Sequence, residues 1–313
     1  MTAVDVAPPA PLARPAGLRS AVVIGGGAVG TLFARHLGAA GISVQVVDRV
    51  TGPDGGGPVL VADARNLRGP AIDAVRAADA VVLALPEDVC LQALPALVPA
   101  LRPGGLLVDT LSVKGPCVQA LEALDVDGLQ VVGVNPMFAP ALGFDGRPVL
   151  AVVTRPGALV EHLLDLLRQA GARVVPCTAA QHDELAAVTQ ALTHAAVLGV
   201  GAALLDLGVT VPQVTAVAPP PHLVLIGLLA RIVSGAPEVY WDVQAANPAA
   251  ARAREALARG LHRVADLVAA GDPDRFAALL QEVRAAFGEE LPAHAAACAA
   301  ILAAVRAPSA PDR

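Results

Sequence analysis

The sequence predicts an α/β fold in which a doubly wound parallel sheet is followed by an all-helical domain. Three observations support this prediction. A glycine-rich turn joins an apolar run to a helical run near the start of the chain, and further short apolar runs alternate with helical segments up to residue 178. That alternation is typical of a parallel sheet covered by helices on both faces. From residue 179 onward, long periods rich in alanine and leucine predict helices alone.

The first unit of the sheet begins at residue 20. An apolar run at 20–24 predicts a strand, residues 25–30 are glycine-rich, a helical stretch continues to residue 40, and a second strand is predicted at 42–48. Strand, turn, helix and strand in this order form a βαβ unit of the Rossmann type. We therefore expect residues 18–178 to form a Rossmann domain.

Six later apolar runs predict the remaining strands. Three of them are expected to be buried parallel strands, and three are expected to extend the same sheet. The first three lie at 58–62, 80–85 and 105–109, and the others lie at 130–134, 148–153 and 172–176. Residues 51–58 form a glycine-rich loop, and the segments between the runs are predicted to be helices.

The second domain is predicted to span residues 179–307 and to contain several helices. Proline and glycine interrupt its helical pattern. The interruptions lie at 212, 219–221, 235–237 and 271–273. Residues 1–17 are predicted to be a disordered tail, since they are rich in proline and match neither a secretory leader nor a helix. Residues 308–313 are predicted to be a second tail.

Net charge and cysteine content limit the classes of partner and the compartment. The net charge of −6 provides no general basic surface for nucleic-acid phosphates or anionic lipids. We therefore expect a small-molecule substrate, with neither nucleic acid nor a membrane as a partner. The four cysteines are scattered, which argues against a zinc site or a disulfide framework and fits a reducing cytoplasm. The histidines show no metal-like spacing, so no metal site is predicted.

Residues 185–205 contain no formal charge and are comparable in length to a membrane span of about 20 residues. Polar residues such as Thr193 within this segment, and flanking residues that are acidic and not basic, favour a buried helix over a membrane span. Residues 223–233 are similarly apolar. Two such helices need burial, so we expect the helical half to be a dimerisation domain and the protein to be a homodimer.

The glycine-rich turn satisfies the dinucleotide-binding pattern G-x-G-x-x-G with Gly25, Gly27 and Gly30. It follows an apolar strand, opens a helix and precedes an acidic residue, Asp48, at the end of the next strand. In this pattern the first glycine permits the tight turn, the second permits close approach of the pyrophosphate, and the third permits close packing of helix on strand. The N-terminus of the helix adds free N–H groups and the positive end of its dipole.

Asp48 favours NAD as the cofactor. Its carboxylate can accept hydrogen bonds from the adenine ribose and would repel the additional phosphate of NADP. Arg49 leaves NADP as a less favoured alternative, because an arginine there could pair with that phosphate or simply extend into solvent. FAD is disfavoured, since no inserted FAD-type domain follows. The other residues assigned to the cofactor site are Ala28, Val29, Leu85 and Pro86.

Four later segments carry the strongest indication of function. They are V-D-T-L-S-V-K-G at 108–115, G-V-N-P-M-F-A-P at 133–140, H-D at 182–183 followed by Q-A-L-T-H at 190–194, and P-E-V-Y-W-D at 237–242. In the order and spacing of these segments, from residue 21 to about residue 288, the chain resembles the prephenate and arogenate dehydrogenases. The resemblance implies a Rossmann domain joined to a helical dimerisation domain, with the substrate between them. It also implies an oxidative decarboxylation, in which a hydride leaves ring carbon 4 for the nicotinamide and the ring carboxylate leaves as carbon dioxide.

The resemblance also assigns roles to individual residues. Ser112 would contact the catalytic residue of the family and the nicotinamide region, although a serine there could instead cap the helix that follows it. His194 would line the substrate pocket, whereas without the resemblance a lone histidine on an apolar helix would be a core residue. Gln190 is assigned to the same pocket. His182 and Asp183 are expected to cap the long helix.

Two positions depart from the family pattern. The family motif has a histidine that accepts the proton of the ring 4-hydroxyl, and this chain has Asn135 there. An amide cannot act as that base. The family also has an arginine in the helical domain that binds a substrate carboxylate, and at 218–223 the nearest candidate is His222. The prolines around His222 could equally form a surface turn.

The amide of Asn135 leads us to predict a substrate that has an amine, and not a hydroxyl, at ring carbon 4. A neutral amine forms a stable iminium when the hydride leaves, so no strong base is needed, and the Asn135 carbonyl can accept its N–H. The best candidate is 4-amino-4-deoxyprephenate, converted to 4-aminophenylpyruvate in specialised, antibiotic-type biosynthesis. One alternative is a prephenate or arogenate dehydrogenase of tyrosine biosynthesis, in which another group such as His222 takes the proton. Another is a non-catalytic dinucleotide-binding sensor.

Overall fold

The computed structural model describes residues 17–50, 59–124 and 126–306. The predicted tails, apart from Gly17, and the glycine-rich loop at 51–58 lie outside the described residues. By backbone contacts the chain divides into two compact units, residues 1–182 and residues 183–313. The division falls inside a helix, whereas the sequence predicts the end of the first domain at residue 178.

The first unit contains an eight-stranded sheet with the order β3-β2-β1-β4-β5-β6-β7-β8. The first six strands follow the Rossmann order, and the neighbouring pairs among them are parallel. Every predicted strand is present, with ends that differ by a few residues. The strands are β1 Ser20–Ile24, β2 Ser43–Asp48, β3 Val59–Val61, β4 Ala80–Leu83, β5 Leu106–Asp109, β6 Gln130–Pro136, β7 Pro148–Arg155 and β8 Arg173–Pro176.

Strand β7 runs antiparallel to β6, and β8 is parallel to β7, so these two strands run opposite to the first six. The connection between the two strands contains a single 3-10 turn, Pro140–Leu142. A parallel crossover usually needs a helix and about a dozen or more residues, so this short connection returns the chain antiparallel. Strand β8 then follows a helix and pairs parallel with β7.

Helices cover both faces of the sheet. Alternate residues of β1 belong to two separate hydrophobic clusters, with Val23 in one and Val22 in the other. This alternation follows from the two-residue period of a strand, and it confirms the predicted doubly wound arrangement. The helices of this unit are α1 Ala28–Ala39, α2 Pro70–Ala77, α3 Glu87–Leu97, α4 Gly115–Glu122 and α5 Ala158–Gln169.

The second unit is helical wherever the structure describes it, as the sequence predicts. The helix that enters it, α6 Ala179–Ala186, continues through a π-helical segment, Ala187–Leu192, into α7 Thr193–Asp206. Four of the following helices begin at a predicted interruption with proline in the first turn, where its missing N–H costs nothing. The helices are α8 Val211–Thr215, α9 Pro220–Val233, α10 Pro237–Ala245, α11 Ala250–Ala269, α12 Pro273–Phe287 and α13 Leu291–Ala304.

Many apolar side chains of the second unit are exposed in the single chain. The helical segment Ala179–Asp206 is long and apolar enough to cross a membrane, although a core helix of a soluble protein meets the same criteria. Only 11% of its most apolar part is buried, and Leu205 is 81% exposed. The prediction of a buried helix at 185–205 is therefore wrong for the isolated chain, because too few neighbouring side chains cover this helix.

Candidate active site

The glycine-rich turn connects β1 to α1 at the carboxyl end of the sheet. Gly25 has a φ of +104°, a conformation that side chains other than hydrogen disfavour, and a Cβ there would overlap the carbonyl oxygen of Ala84. A Cβ on Gly30 would overlap the carbonyl oxygen of Gly25. Gly27, in contrast, has no described atom within 4 Å of its Cβ position. The fold thus requires the first and third glycines, and the second leaves the backbone open to close approach.

The N-terminus of α1 suits an anion. Its N-cap residue, Gly27, has no side chain that could accept hydrogen bonds from the first N–H groups of the helix, and the first turn contains no acidic residue. Ala28 is exposed in this turn, and Val29 packs partly against the core. Free N–H groups and the positive end of the helix dipole stabilise a negative group such as a pyrophosphate. The residues of this turn therefore fit a dinucleotide.

Asp48 ends β2 beside the glycine-rich turn. Its Oδ2 accepts a hydrogen bond from the Gly26 N–H at 2.5 Å, and its Oδ1 accepts one from the Val50 N–H at 3.1 Å. These bonds hold the carboxylate at the edge of the turn, where a ribose ligand is expected. Arg49 is exposed.

Two further predicted cofactor residues follow β4. A Cβ on Gly25 would lie 3.4 Å from Leu85 Cδ2, so the Leu85 side chain borders the turn. Pro86 is the N-cap residue of α3. The structure therefore brings Leu85 together with the glycine-rich turn at the same edge of the sheet.

A buried ion pair lies between the loop that carries Ser112 and strand β6. Lys114 Nζ lies 2.5 Å from Asp109 Oδ1 and donates a second hydrogen bond to the Val134 carbonyl at 3.2 Å. Lys114 is fully buried. A Cβ on Gly133 would lie 2.6 Å from Asp109 Oδ2 and 3.0 Å from Lys114 Cδ, so this glycine provides the space for the pair. The pair was not predicted from the sequence, although two charged residues in an apolar motif were a usable signal.

Ser112 lies in the loop between β5 and α4 and is half-buried. Helix α4 has Lys114 as its N-cap residue and no side-chain capping bond. The alternative that Ser112 caps this helix is therefore wrong, because the helix begins too far along the chain for its hydroxyl to do so. The loop is held instead by Asp109, whose Oδ1 also accepts the Leu111 N–H at 3.2 Å.

Asn135 lies on β6, is 2% exposed and donates from Nδ2 to His182 Nε2 at 3.0 Å. Because an amide nitrogen only donates, the acceptor Nε2 is the unprotonated nitrogen of the imidazole. Within the described ranges, His182 is the one hydrogen-bond partner of the Asn135 side chain. Its carbonyl Oδ1 therefore remains available to accept a hydrogen bond.

Thr178 caps α6, so the predicted capping role of His182 and Asp183 is wrong. The Gln181 N–H donates to Thr178 Oγ1 at 3.2 Å, and the Thr178 N–H donates to Gln181 Oε1 at 3.0 Å. This reciprocal pair is a capping box. His182 and Asp183 lie further along the helix and are buried, and the Asp183 carbonyl accepts from Asn247 Nδ2 at 2.8 Å.

His194 lies on α7 in the second unit and is half-buried. Its ring packs edge-on against Tyr240, with the ring centroids 5.0 Å apart. Burial, with a smaller contribution from the charge of Arg231, lowers the pKa of His194 below its usual value, so the imidazole is neutral near pH 7. Arg231 was not predicted as a site residue, although a lone basic residue in the apolar segment 223–233 was a usable signal.

Gln190 lies in the π-helical segment one turn before His194. A π-helical turn displaces backbone carbonyls from their usual partners and often occurs at functional sites. Here the Ala191 carbonyl accepts a hydrogen bond from Gln244 Nε2 at 2.7 Å. Arg254 Nη1 in turn donates to Gln244 Oε1 at 2.9 Å. The second unit therefore stabilises the irregular turn that carries Gln190.

His222 lies in the first turn of α9, directly after the run of prolines. It is half-buried, and its Nε2 is buried with no hydrogen-bond partner among the described residues. The prolines thus initiate a helix and do not form the alternative surface turn.

The fold and the turn together define a class of protein. A sheet in Rossmann order, an uncapped helix N-terminus after a glycine-rich turn, and an acidic residue at the end of β2 define a dinucleotide-binding domain. The family model for the prephenate dehydrogenase nucleotide-binding domain matches residues 42–175, and that for the prephenate dehydrogenase dimerization domain matches residues 178–282. The chain belongs to the prephenate dehydrogenase family and is an oxidoreductase, which confirms the predicted family.

Known relatives agree with this assignment. The chain is 49% identical over 272 residues to the 4-amino-4-deoxyprephenate dehydrogenase of Streptomyces pristinaespiralis, covering 87% of this chain and 92% of that protein. The crystal structure of Aquifex aeolicus prephenate dehydrogenase with hydroxyphenyl propionate and NAD+ matches with a TM-score of 0.67 at 18% identity, covering 85% and 96%. Synechocystis arogenate dehydrogenase matches with a TM-score of 0.60 at 18% identity, covering 85% and 98%. These two structures confirm the predicted fold.

Proposed function

We propose that the protein is an NAD-dependent dehydrogenase that converts 4-amino-4-deoxyprephenate to 4-aminophenylpyruvate by oxidative decarboxylation. The observation that carries the proposal is Asn135, an amide where the family motif has a histidine, with its carbonyl left free by the bond to His182. The 49% identity to a relative named for this substrate supports it.

Asn135 suits an amine at ring carbon 4. In the reaction the C4–H bond breaks with its electron pair, the bond to the ring carboxylate breaks to release carbon dioxide, and the remaining electrons complete the aromatic ring. NAD, when bound, accepts the hydride. A neutral amine supports the loss of hydride through its lone pair, whereas a hydroxyl benefits from a base that removes its proton. The Asn135 carbonyl accepts an N–H and orients the amine without serving as a base.

The family resemblance assigns further residues to substrate binding. We assign His194 and Gln190 to the pocket, where the neutral imidazole of His194 can exchange hydrogen bonds. Arg231 is the better candidate for a substrate carboxylate than His222, because a guanidinium is charged at every working pH and binds carboxylates through two parallel hydrogen bonds. Tyr240 connects the two residues, because its ring packs against His194 and its hydroxyl donates to the Arg231 carbonyl at 3.4 Å.

Several further features belong to this proposal. The Asp48 carboxylate, which accepts the Gly26 N–H, favours NAD over NADP because it would repel the 2′-phosphate of NADP. The match to the dimerization domain and the exposed apolar side chains of α7 support a homodimer. We infer a cytoplasmic location, because the four cysteines are scattered along the sequence and fit a reducing compartment.

The test is a set of steady-state assays that follow NADH or NADPH absorbance. Prephenate, arogenate and 4-amino-4-deoxyprephenate are each combined with NAD and with NADP. We expect the highest kcat/KM for the 4-amino substrate with NAD. A higher value for prephenate or arogenate would place the protein among the ordinary members of the family. No turnover of any substrate would support a non-catalytic dinucleotide-binding sensor.

A further inference from the structure

The hydrogen bond between Asn135 and His182 indicates how the site distinguishes an amine from a hydroxyl. We propose that His182 is a positioning residue: it holds the Asn135 amide with the carbonyl towards ring carbon 4, and thereby sets the preference for the amine. This inference rests on the proposed function, since it takes Asn135 to face the substituent on that carbon.

An amide side chain can present either its carbonyl or its NH2 group to a ligand, because the two orientations have nearly the same shape. His182 Nε2 lies 3.0 Å from Asn135 Nδ2 and accepts its hydrogen. The proposal includes the His182 tautomer that carries its proton on Nδ1. In that tautomer a reversed amide would place Asn135 Oδ1 against the lone pair of Nε2, and two buried acceptors would be left without a donor. Such an unsatisfied pair is costly, so the histidine excludes the reversed amide.

The two side chains are held by rigid elements. Asn135 lies within β6, paired with Leu150 of β7. His182 is fully buried, and its N–H donates to the Thr178 carbonyl at 2.8 Å within the capped start of α6. Neither residue lies on an exposed loop. The imidazole is therefore held in one place, and with its proton on Nδ1 it offers Asn135 a single acceptor, which is the condition for a well-defined amide orientation.

Orientation matters more for an amine than for a hydroxyl. A neutral amine has one lone pair, and that lone pair must expel the hydride. The Asn135 carbonyl accepts an N–H and leaves the lone pair free, whereas a reversed amide would donate to the lone pair and withdraw it from the reaction. A hydroxyl oxygen has two lone pairs, so one remains free in either case. Loss of the His182 acceptor should therefore impair oxidation of the amine more than oxidation of prephenate.

Three variants of His182 test this inference in the full-length enzyme. His182→Gln supplies a side-chain carbonyl that can replace Nε2 as the acceptor, His182→Asn is polar but too short to reach, and His182→Leu removes the acceptor. We expect the ratio of kcat/KM for 4-amino-4-deoxyprephenate to kcat/KM for prephenate to fall about threefold to tenfold in the Asn and Leu variants, the range that corresponds to one hydrogen bond. The decrease should come from kcat, and His182→Gln should retain the ratio.

A double-mutant cycle provides the control for a merely structural role. With Asn135→Leu in place, His182→Asn should no longer change the ratio, because no amide remains to be oriented. The inference would be overturned if the Asn and Leu variants lost kcat/KM equally for both substrates. It would also be overturned if the ratio of the two kcat/KM values fell in His182→Gln. If His182→Leu does not fold, as judged by its Tm and NAD affinity, the Gln and Asn variants decide the outcome. A wild type that prefers prephenate contradicts the proposed function itself, whereas an amine-selective wild type with an unchanged ratio in His182→Asn contradicts only the role of His182.

Discussion

Lys114 Nζ lies 2.5 Å from Asp109 Oδ1 in the interior of the Rossmann unit, and the same ammonium donates to the carbonyl of the residue before Asn135. One buried cation thus connects the end of β5, the loop of Ser112 and strand β6. Two candidate catalytic segments depend on it for their relative position. Substitutions at this pair should consequently alter both stability and catalysis.

Replacing Lys114 tests this dependence. Lys114→Met leaves Asp109 as an uncompensated buried carboxylate, and removing one partner of a buried pair typically costs about 3–5 kcal/mol. We expect a loss of that order in the free energy of unfolding, measured by urea denaturation. Arg263→Met is the matched control, since the Arg263–Glu282 pair lies on the surface and should contribute little. An unchanged unfolding free energy in Lys114→Met would show that the pair does not support the site.

Asp48 should determine the affinity for NAD. Asp48→Ala removes a charged acceptor, and a hydrogen bond to a charged group is worth about 1.5–3 kcal/mol, so NAD should bind on the order of tenfold or more weakly by calorimetry. Asp48→Asn keeps an acceptor for the Gly26 N–H and serves as the control for the shape of the turn. It should mainly lose discrimination against NADP. A wild type that binds NADP more tightly than NAD would contradict the role of this carboxylate.

Introducing the histidine of the family motif should alter the substrate preference. Asn135→His supplies a base for a ring hydroxyl, and general base catalysis typically contributes about 10²–10⁴-fold, so kcat/KM for prephenate should rise at least tenfold. The 4-amino substrate should gain nothing, because it needs no base. The measurement is the NADH assay with both substrates, and Asn135→Gln is the control for a change of size. A fall in prephenate oxidation in Asn135→His would count against the assigned position of residue 135.

His194 predicts a dependence of stability on pH. Burial lowers its pKa in the folded state, so between the folded and the unfolded pKa the unfolded chain binds more protons. The stability that the neutral imidazole contributes is present above the unfolded value of about 6.5 and is lost as the pH falls. Tm should therefore decrease less from pH 8 to pH 5.5 in His194→Gln than in the wild type. His36 shifts in the same direction, so His36→Gln should show a similar partial effect, and an identical pH profile in all three proteins would refute the assignment.

The apolar surface of α7 should be covered by a second copy of the chain. We expect light scattering to show a dimer at micromolar concentration, and Leu205→Glu to shift it towards the monomer, because a carboxylate would then be buried in an apolar contact. Val50→Glu changes an exposed residue of the Rossmann unit in the same way and should leave the dimer intact. A wild-type monomer under these conditions would exclude the proposed assembly.

Local sequence patterns predict most strands and helices of this fold. Features that these patterns do not predict depend on contacts between residues that are distant in the sequence. The strands could be predicted because each is an apolar run that ends at glycine, proline or polar residues. The direction of β7 could not, since it depends on how the chain crosses between strands. The capping of α6 was predictable from the residues T-A-A-Q at 178–181, which form a capping box. The capping role was assigned instead to His182 and Asp183, which follow this capping box.

The same distinction between local patterns and long-range contacts applies to the site residues. The glycine-rich turn and Asp48 form a contiguous pattern with known geometry, so their positions follow from spacing alone. The bond from Asn135 to His182 joins residues on a strand and on a later helix, and no local pattern predicts it. Arg231 likewise acquires its place near His194 only through the packing of two helices.

The π-helical segment Ala187–Leu192 makes the position of Gln190 depend on the length of the chain as well as on its composition. Each residue of a helix advances the chain by about 100° around the axis. A π turn holds one residue more than an α turn, so deleting one residue from this segment would convert it to a regular helix, and α7 with His194 would keep nearly its present orientation. A single-codon deletion here would instead move the side chains inside the turn, Gln190 among them, relative to His194, a rearrangement that no single substitution can produce. Lineages of this family could thus change which side chains this turn presents by gaining or losing a single residue.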